Sequence, residues 1–247
     1  MIPIYIGYDI REHDAYCVAR HTILKHTPNA SVTPLVQDDL RHMGLYRRSS
    51  YIDPAGVIRD SEDDRPFSTA FTFTRFLVPF LMARRGWAIF MDLDMLVRED
   101  MNTLWEMRDD KYALMCVKHF QKIKAGETKM MGQVQEGYDR KNWSSLVLWN
   151  CGHPDHRNLS LDDVNTKPGR WLHHFNWLTN TSPPERNIGE LPEVWNWLEG
   201  YSSDQLNPAI VHFTRGGPWF DEWQNVAFAD EWRHNMAEIN EADRERL

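Results

Sequence analysis

Cysteine is scarce. Cys17, Cys116 and Cys151 are odd in number and show no Cys-x-x-Cys spacing, which excludes a disulfide framework or a thiolate metal site. They are expected to be reduced core thiols of a cytoplasmic protein. Positive charge is also short: 28 Lys and Arg stand against 36 Asp and Glu, a formal charge of -8. That balance excludes a non-specific nucleic-acid binder, which needs a basic face to neutralise phosphates. The longest apolar run, FLVPFLMA at 76–83, holds a proline and falls far below the roughly 20 residues that span a bilayer. MIPIYIGYD has no basic stretch ahead of a long apolar run and is not read as a secretory signal. Membrane contact is expected to be peripheral at most, at the inner membrane face. Internal repeats and a linker able to divide the chain are also lacking.

What is present is ordinary for a globular chain: 42% hydrophobic and 26% charged residues over 247 positions, enough to bury a sizeable core. IPIYIGYD reads as a buried strand broken at Asp9. REHDAYCVARHTILKHT follows with helical spacing of Ala15, Val18, Ala19, Thr22 and Ile23. SVTPLVQ reads as a second strand, and residues 45–68 as a polar loop. STAFTFTRFLVPFLMARRG predicts a helix from an N-cap at Ser68 to a stop at Gly86, kinked at Pro79. WAIFMD, YALMCVKHF and SSLVLWN are further strands, PAIVHFTRGGPWF holds a last short one, NTLWEM is a short helix, and KAGETKMMGQVQEGYDRKN a polar connection. DEWQNVAFADEWRHNMAEI closes the chain as an amphipathic helix. Strands alternating with helices predict an α/β fold with an open, largely parallel sheet. In such sheets ligands bind beyond the carboxyl ends of the strands, where Asp9 and Asp92 fall.

Asp92-Leu93-Asp94 ends the run AIFM. Aspartate is a poor strand former and costly to bury. Two readings stand: a surface turn, or two carboxylates that reach one hard divalent cation and leave it open positions for a substrate's oxygens. His212 follows a short apolar strand and precedes Gly216-Gly217. Its imidazole is either a third ligand to such a cation or a core histidine at a strand end. Gly216 and Gly217 would let backbone amides approach phosphate oxygens, with Arg215 as a charged donor beside them. Arg75, inside an apolar stretch, either pairs with the aspartates or lays its stem along the core. Asp9 suits a hydrogen bond to a base or ribose, with Tyr8 available to stack, and equally suits an N-cap.

Four stretches together carry a resemblance: IYIGYD, TRF, AIFMDLDMLVRED and IVHFTRGGPWF. The chain resembles the family 8 retaining glycosyltransferases, the group of glycogenins and bacterial lipopolysaccharide galactosyl- and glucosyltransferases, most strongly over residues 68–107. The resemblance implies a GT-A fold, a Rossmann-like open mixed sheet flanked by helices. It implies one nucleotide-sugar-binding domain over residues 1–220; the helical tail read from the amphipathic pattern, 221–247, is expected to pack on it. It further implies a UDP-sugar donor, Mn²⁺ or Mg²⁺ as cofactor, and a glycan or lipid-linked glycan as acceptor. By the same resemblance Gly7, Tyr8 and Asp9 meet the uracil, and Arg75 the donor sugar and diphosphate. Asp92 and Asp94 match the DxD metal ligands, with Arg75 and Asp94 closest to the reaction, and His212 the third protein ligand.

The departures fall at the sugar and the diphosphate. The family's lysine before Pro-Trp is Gly217 here, with Arg215 as the nearest substitute, and its Asn-Ala-Gly segment is Trp143-Ser144-Ser145, so that Ser144 stands by the donor sugar. The acidic/amide pair expected ahead of the LP…N segment, here IGELPEVWNW, has no counterpart in HHFNWLTN, and Asp204-Gln205 lies on the wrong side of it. That favours front-face transfer over a carboxylate nucleophile. Two rivals remain: a non-catalytic nucleotide or sugar binder on a degenerate transferase fold, and a sugar nucleotidyltransferase. The second is disfavoured because IGYDIREHDA has one glycine where a phosphate loop needs several. Trp171, Trp177, Trp195, Trp197, Trp219 and Trp223 either line an acceptor site or fill the core; the core reading is preferred, with Trp219 the exception.

Overall fold

The computed structural model describes residues 1–120, 128–129, 133–134, 140–178 and 185–244. Most of the polar connection at 124–142 and the end of HHFNWLTN lie outside the described residues, as do residues 245–247 of the tail. The strands are β1 (Ile2–Gly7), β2 (Ala30–Leu35), β3 (Ser50–Ile52), β4 (Ile58–Asp60), β5 (Trp87–Met91), β6 (Met95–Val97) and β7 (Leu114–Cys116). They continue with β8 (Thr128–Lys129), β9 (Gln133–Val134), β10 (Leu146–Asn150), β11 (Ile188–Glu190), β12 (Trp197–Leu198) and β13 (Ile210–His212). Among the described residues the helices are α1 (His13–His26), α2 (Gln37–His42), α3 (Val78–Leu81), α4 (Met101–Glu106), α5 (Leu161–Thr166), α6 (Gly169–His173), α7 (Ala229–Glu238) and α8 (Glu241–Arg244).

The main sheet runs β11-β7-β10-β5-β1-β2. It is mixed, not largely parallel: β1 is parallel to β2 and β5, and β11 to β7, but β10 is antiparallel to both of its neighbours. The alternation of strands and helices cannot show this, because the direction of β10 is set by pairing across the chain. β5 and β10 are central, and all of β10 is buried, which is why both are near-continuous apolar runs. Pro34 is tolerated in β2 because that strand lies at the sheet edge. A smaller sheet, β12-β13-β6, takes up the chain after the three residues Asp92, Leu93 and Asp94 that follow β5.

The helix expected over 68–86 is mostly absent. Thr74–Leu77 forms a 3₁₀ turn and only Val78–Leu81 is α-helical. The hydroxyls of Thr72 and Thr74 donate to the carbonyls of Thr69 (2.8 Å) and Phe71 (3.4 Å), a local alternative to the helical ladder. Pro79 falls in the first turn of α3, where its missing N–H costs nothing, and so kinks nothing. Ser68 caps no helix, and Gly86 does follow a left-handed stop, after Ala83 (φ 48°) and Arg84 (φ 55°). The loop expected over 45–68 contains the β3–β4 hairpin. The tail holds α7, which meets α1 through Lys25 Nζ to Asn235 Oδ1 (3.1 Å) and Glu238 Oε2 (2.7 Å).

All three cysteines are buried thiols. No described helix is long and apolar enough to cross a membrane. His156, fully buried, donates from Nε2 to the Ala113 carbonyl (2.9 Å) and accepts at Nδ1 from the Trp177 indole (3.3 Å). Burial pushes its pKa down from 6.5 to about 4. Between those values the unfolded chain takes a proton that the native imidazole refuses, so stability is full above pH 6.5 and is lost as pH falls toward 4. Denaturant titrations at pH 7 and pH 4.5 should differ by roughly 2–3 kcal/mol from this group, and the His156→Gln variant should show a shallower pH dependence over that window.

Candidate active site

Strand register explains why distant residues meet. Met91 of β5 pairs with Leu146 of β10, and the Asp92 amide donates to the Ser145 carbonyl at 2.8 Å, so the Ser144-Ser145 pair lies against the first aspartate. After Asp94 the chain enters β6, where Met95 pairs with His212 of β13, and the Phe213 amide donates to the Asp94 carbonyl at 2.9 Å. The two aspartates thus bridge the main sheet and the small one, and His212 is fixed beside the second. Ligand atoms of Asp92, Asp94 and His212 all lie within 4.8 Å of one another.

The imidazole is held from behind. Asn196, fully buried, donates its amide Nδ2 to Ser145 Oγ (2.9 Å), and Ser145 Oγ donates to the Asn142 carbonyl (2.7 Å). Asn196 Oδ1 is therefore the atom that faces His212 Nδ1, at 2.9 Å, and His212 must carry its proton there. Nε2 is left facing Asp94 Oδ1 at 3.3 Å. Two acceptor atoms at that distance need a proton or a cation between them. Two carboxylates and one imidazole locked in this way fit a manganese- or magnesium-type ion held by oxygen and nitrogen. Asn196→Leu should weaken Mn²⁺ binding about 10- to 100-fold, read as free Mn²⁺ by electron paramagnetic resonance, while the protein still unfolds cooperatively.

Arg75 extends the cluster. Its Nη1 stands 3.0 Å from Asp92 Oδ1 and donates to the Ser144 carbonyl at 2.9 Å. The guanidinium lies over Phe71 and Phe90, 5.4 and 5.1 Å from their centroids, and is 5% exposed. Its Nε is buried and has no hydrogen-bond partner among the described residues. Such a charge is held for pairing and does not lie as a stem along the core. Ser144 Oγ is 2.8 Å from His173 Nδ1. Burial, and then the Arg75 charge, keep His173 well below its usual pKa and therefore neutral.

These groups share one cavity of about 520 Å³, lined by Arg75, Asp92, Asp94, Ser144, His173 and His212 among others. Other expected residues lie outside its lining. The Asp9 carboxylate is the cap of the following 3₁₀ turn and is taken up by Arg11 (Nη2, 2.5 Å) and by the Ala70 amide (2.9 Å). Burial alone would raise its pKa, but those hydrogen bonds and the Arg11 charge outweigh it and hold it below the usual range. The Tyr8 ring is 5% exposed and packs edge-on against Tyr16, 5.2 Å away, so it offers no face for stacking. Gly7 is where the chain meets Phe71: a Cβ would lie 2.5 Å from that ring. Arg215 pairs with the buried Glu199 at 2.7 Å beneath Trp223 and Tyr201, and Gly216 and Gly217 pack against Trp223 and Trp219. None of the six tryptophans weighed for sugar stacking lines the cavity; Trp177, Trp195 and Trp197 are core, and Trp219 donates to Glu12 Oε2 at 3.3 Å.

No family model matches the chain. Protein CDI of Arabidopsis thaliana is 44% identical over 247 residues, spanning 98% of this chain and 88% of that protein. The chain belongs to the Protein CDI family. Solved structures resemble this family member at low identity. The galactosyltransferase LgtC, in complex with donor and acceptor sugar analogues, superposes with a TM-score of 0.56 at 14% identity over 100% of both chains. The bifunctional glycosyltransferase WbbM gives 0.59 at 15% identity, and the glycosyltransferase GlyE of Streptococcus pneumoniae TIGR4 also 0.59 at 15%. The chain covers 96% of itself but 50% of WbbM, and 98% of itself but 62% of GlyE. At such identities the likeness establishes the fold, which is the GT-A fold.

For this CDI-family chain the sequence pointed to the aspartates, Arg75, Ser144 and His212, and missed His173, Asn196, Asn142 and Lys141. No local pattern marks them. Asn196 lay in the noted LP…N segment, but its partner is 16 residues away and is set by β12 pairing with β13.

Proposed function

We propose that the protein is a metal-dependent glycosyltransferase of the family 8 kind, with residues 1–220 as its catalytic domain and 221–247 as a packed tail. In this reading it moves a hexose from a nucleotide diphosphate sugar, of UDP type, to a hydroxyl of a glycan or lipid-linked glycan, with retention at the anomeric carbon. The observation that carries the reading is the cluster of Asp92, Asp94 and His212 joined through Asp92 to a buried Arg75, in a cavity at the strand ends. The GT-A fold adds to it.

Asp92, Asp94 and His212 would hold the divalent cation, whose bound charge offsets that gathering on a departing diphosphate. Arg75 supplies a fixed second positive charge that needs no reorganisation, since Phe71, Phe90 and Ser144 already hold it in place. Lys141, on the cavity wall, stands in for the lysine missing before Pro218-Trp219. Ser144 and neutral His173 form a hydrogen-bonding surface for the donor sugar's hydroxyls. The base end of the donor would lie along 68–70, which Asp9 anchors through the Ala70 amide.

The carboxylates among the described lining residues are Asp63, Asp92 and Asp94. Two belong to the metal cluster, and Asp63 accepts from the backbone amides of Arg65 (3.1 Å) and Gly169 (2.7 Å). This supports front-face transfer, in which the acceptor hydroxyl attacks, the anomeric C–O bond breaks, and the departing phosphate oxygen takes the hydroxyl proton.

Titration calorimetry of UDP with Mn²⁺ and then with EDTA tests the reading. Metal-dependent micromolar binding is expected, followed by slow release of UDP from a matching UDP-sugar. If no nucleoside diphosphate binds in the presence of Mn²⁺ or Mg²⁺, the donor site is absent and the transferase reading fails.

A further inference from the structure

The β3–β4 hairpin ends in a tip that shows apolar side chains to the outside and uses its polar groups on itself. The stretch 51–57, YIDPAGV, holds one charged residue, Asp53. Ile52 is 71% exposed, Tyr51 45% and Val57 37%. Single exposed apolar residues are ordinary, but several neighbours together mark a contact surface. Each main-chain N–H from 53 to 57 finds its acceptor within the tip. The Asp53 amide donates to the Val57 carbonyl and the Gly56 amide to the Asp53 carbonyl, both at 2.9 Å. Asp53 Oδ1 accepts from the amides of Ala55 and Val57, each at 2.9 Å, and Pro54 has no N–H. Asp53 Oδ2 accepts from Arg59 Nε at 2.7 Å, so the charge is matched as well. The Tyr51 hydroxyl donates to Asp64 and leaves the ring as its exposed part.

A water-facing turn can leave its amides to solvent, whereas a turn that enters a lipid interface must satisfy them itself. The charges beside the tip are likewise matched inside the chain, Asp53 by Arg59 and Asp9 by Arg11 (Nη2, 2.5 Å). A protein partner is a poorer fit, because a stable interface takes roughly 20 residues a side. Aliphatic side chains with a tyrosine at headgroup level are what an interfacial contact uses. The surface also adjoins the cavity. The Phe67 amide donates to the Ile58 carbonyl at 3.1 Å, and Pro66, Phe67 and Ser68 line the cavity. Ile10, 70% exposed, is tied to the same wall, since the neighbouring Arg11 donates to the Ser68 carbonyl at 2.7 Å. The acidic turn at 61–64 lies beyond the other end of β4.

We propose that the hairpin tip inserts Ile52 and Val57 into the interface of a lipid bilayer and so seats the protein on a membrane beside its cavity wall. The nearby charges are paired within the chain and the whole molecule carries a formal charge of -8, so the contact is apolar and needs no anionic lipid. A lipid-linked acceptor would then meet the protein at this wall; that clause alone rests on the transferase reading, and the membrane contact does not.

The experiment sediments the full chain with vesicles of phosphatidylcholine alone and of phosphatidylcholine mixed with phosphatidylglycerol, at low and high salt. The wild-type protein is expected to pellet with both kinds of vesicle and to ignore the salt, which screens charge but not apolar contact. Ile52→Asp and Val57→Asp, at exposed positions, should each weaken partitioning at least about tenfold, as removing one buried aliphatic side chain implies. Both should keep the wild-type melting temperature and Mn²⁺–UDP affinity. Wild-type protein that stays in the supernatant with both vesicles overturns the proposal, as does vesicle binding that survives both substitutions. Binding that needs phosphatidylglycerol and falls with salt also overturns it, and gives the contact to charge. Self-association that depends on Ile52, seen by sedimentation velocity without vesicle binding, overturns it too and gives the tip to a second copy of the chain. Vesicle binding that depends on the tip, in a protein that never binds Mn²⁺–UDP, sinks the donor reading and leaves the membrane contact standing.

Discussion

Asp94→Ala is expected to lower Mn²⁺ affinity at least about 100-fold, more than loss of an outer partner does, and to abolish metal-dependent UDP binding with it. Asp94 contributes one of the three converging ligands and faces His212 Nε2 at 3.3 Å. Its removal leaves one carboxylate and one imidazole, too few fixed donors to hold a hard cation that otherwise keeps its water. Asp94→Asn should lose nearly as much, because the shape is kept but the charge is gone. Asp92→Ala is a poorer probe: it also strips the 3.0 Å partner from the buried Arg75, so lost binding would be mixed with lost stability. Calorimetry with Mn²⁺ and UDP reads the outcome, and a single cooperative melting transition in EDTA confirms that the Asp94 variants are folded. Wild-type-like UDP binding by Asp94→Ala would return this pair to the role of a turn.

The second large effect is structural. Arg48→Met should cost about 3–5 kcal/mol, the usual consequence of leaving a buried charge without its partner. Arg48 and Asp60 are each about 1% exposed at the side chain and are joined by two hydrogen bonds, Nε to Oδ1 at 2.8 Å and Nη2 to Oδ2 at 2.5 Å. Burial pushes the Asp60 carboxyl up and Arg48 holds it back, so without the guanidinium this carboxylate would have to take a proton or meet water. Arg48 also donates to the carbonyls of Val164 and Lys167 and lies 4.0 Å above the Phe73 ring. One side chain thus ties the 48–67 segment, α5 and the cavity wall together. Arg48→Met combined with Asp60→Leu should recover part of the loss by removing the stranded charge, and the two carbonyls left without a donor limit the recovery. Urea denaturation of the two single variants and the double measures the coupling. Additive losses would mean that the pair contributes no more than its packing.

The sequence by itself determined much of the skeleton. Apolar runs placed β1, β5 and β10 because central strands are buried on both faces and tolerate little else. The spacing of Ala15, Val18, Ala19, Thr22 and Ile23 placed α1, since those side chains fall on one face. Aspartates where a buried strand ends were chemically conspicuous, and so was a histidine before two glycines. Local pattern failed where local and tertiary preferences diverged. The 68–86 stretch reads as a helix, but threonine hydroxyls bond to its backbone carbonyls in place of the helical ladder, and only a 3₁₀ turn and a single α turn form. Only the tertiary structure decided which candidates share a site. The register of β6 on β13 and of β10 on β5 brings His212, Ser144 and Ser145 to the aspartates, and such register depends on contacts between residues far apart in the chain, more than a hundred positions for β6 and β13. The same packing engages Asp9 and Arg215, attractive by type, with Arg11 and Glu199. A residue's type states what it can bind; its neighbours in space settle whether that capacity is already used.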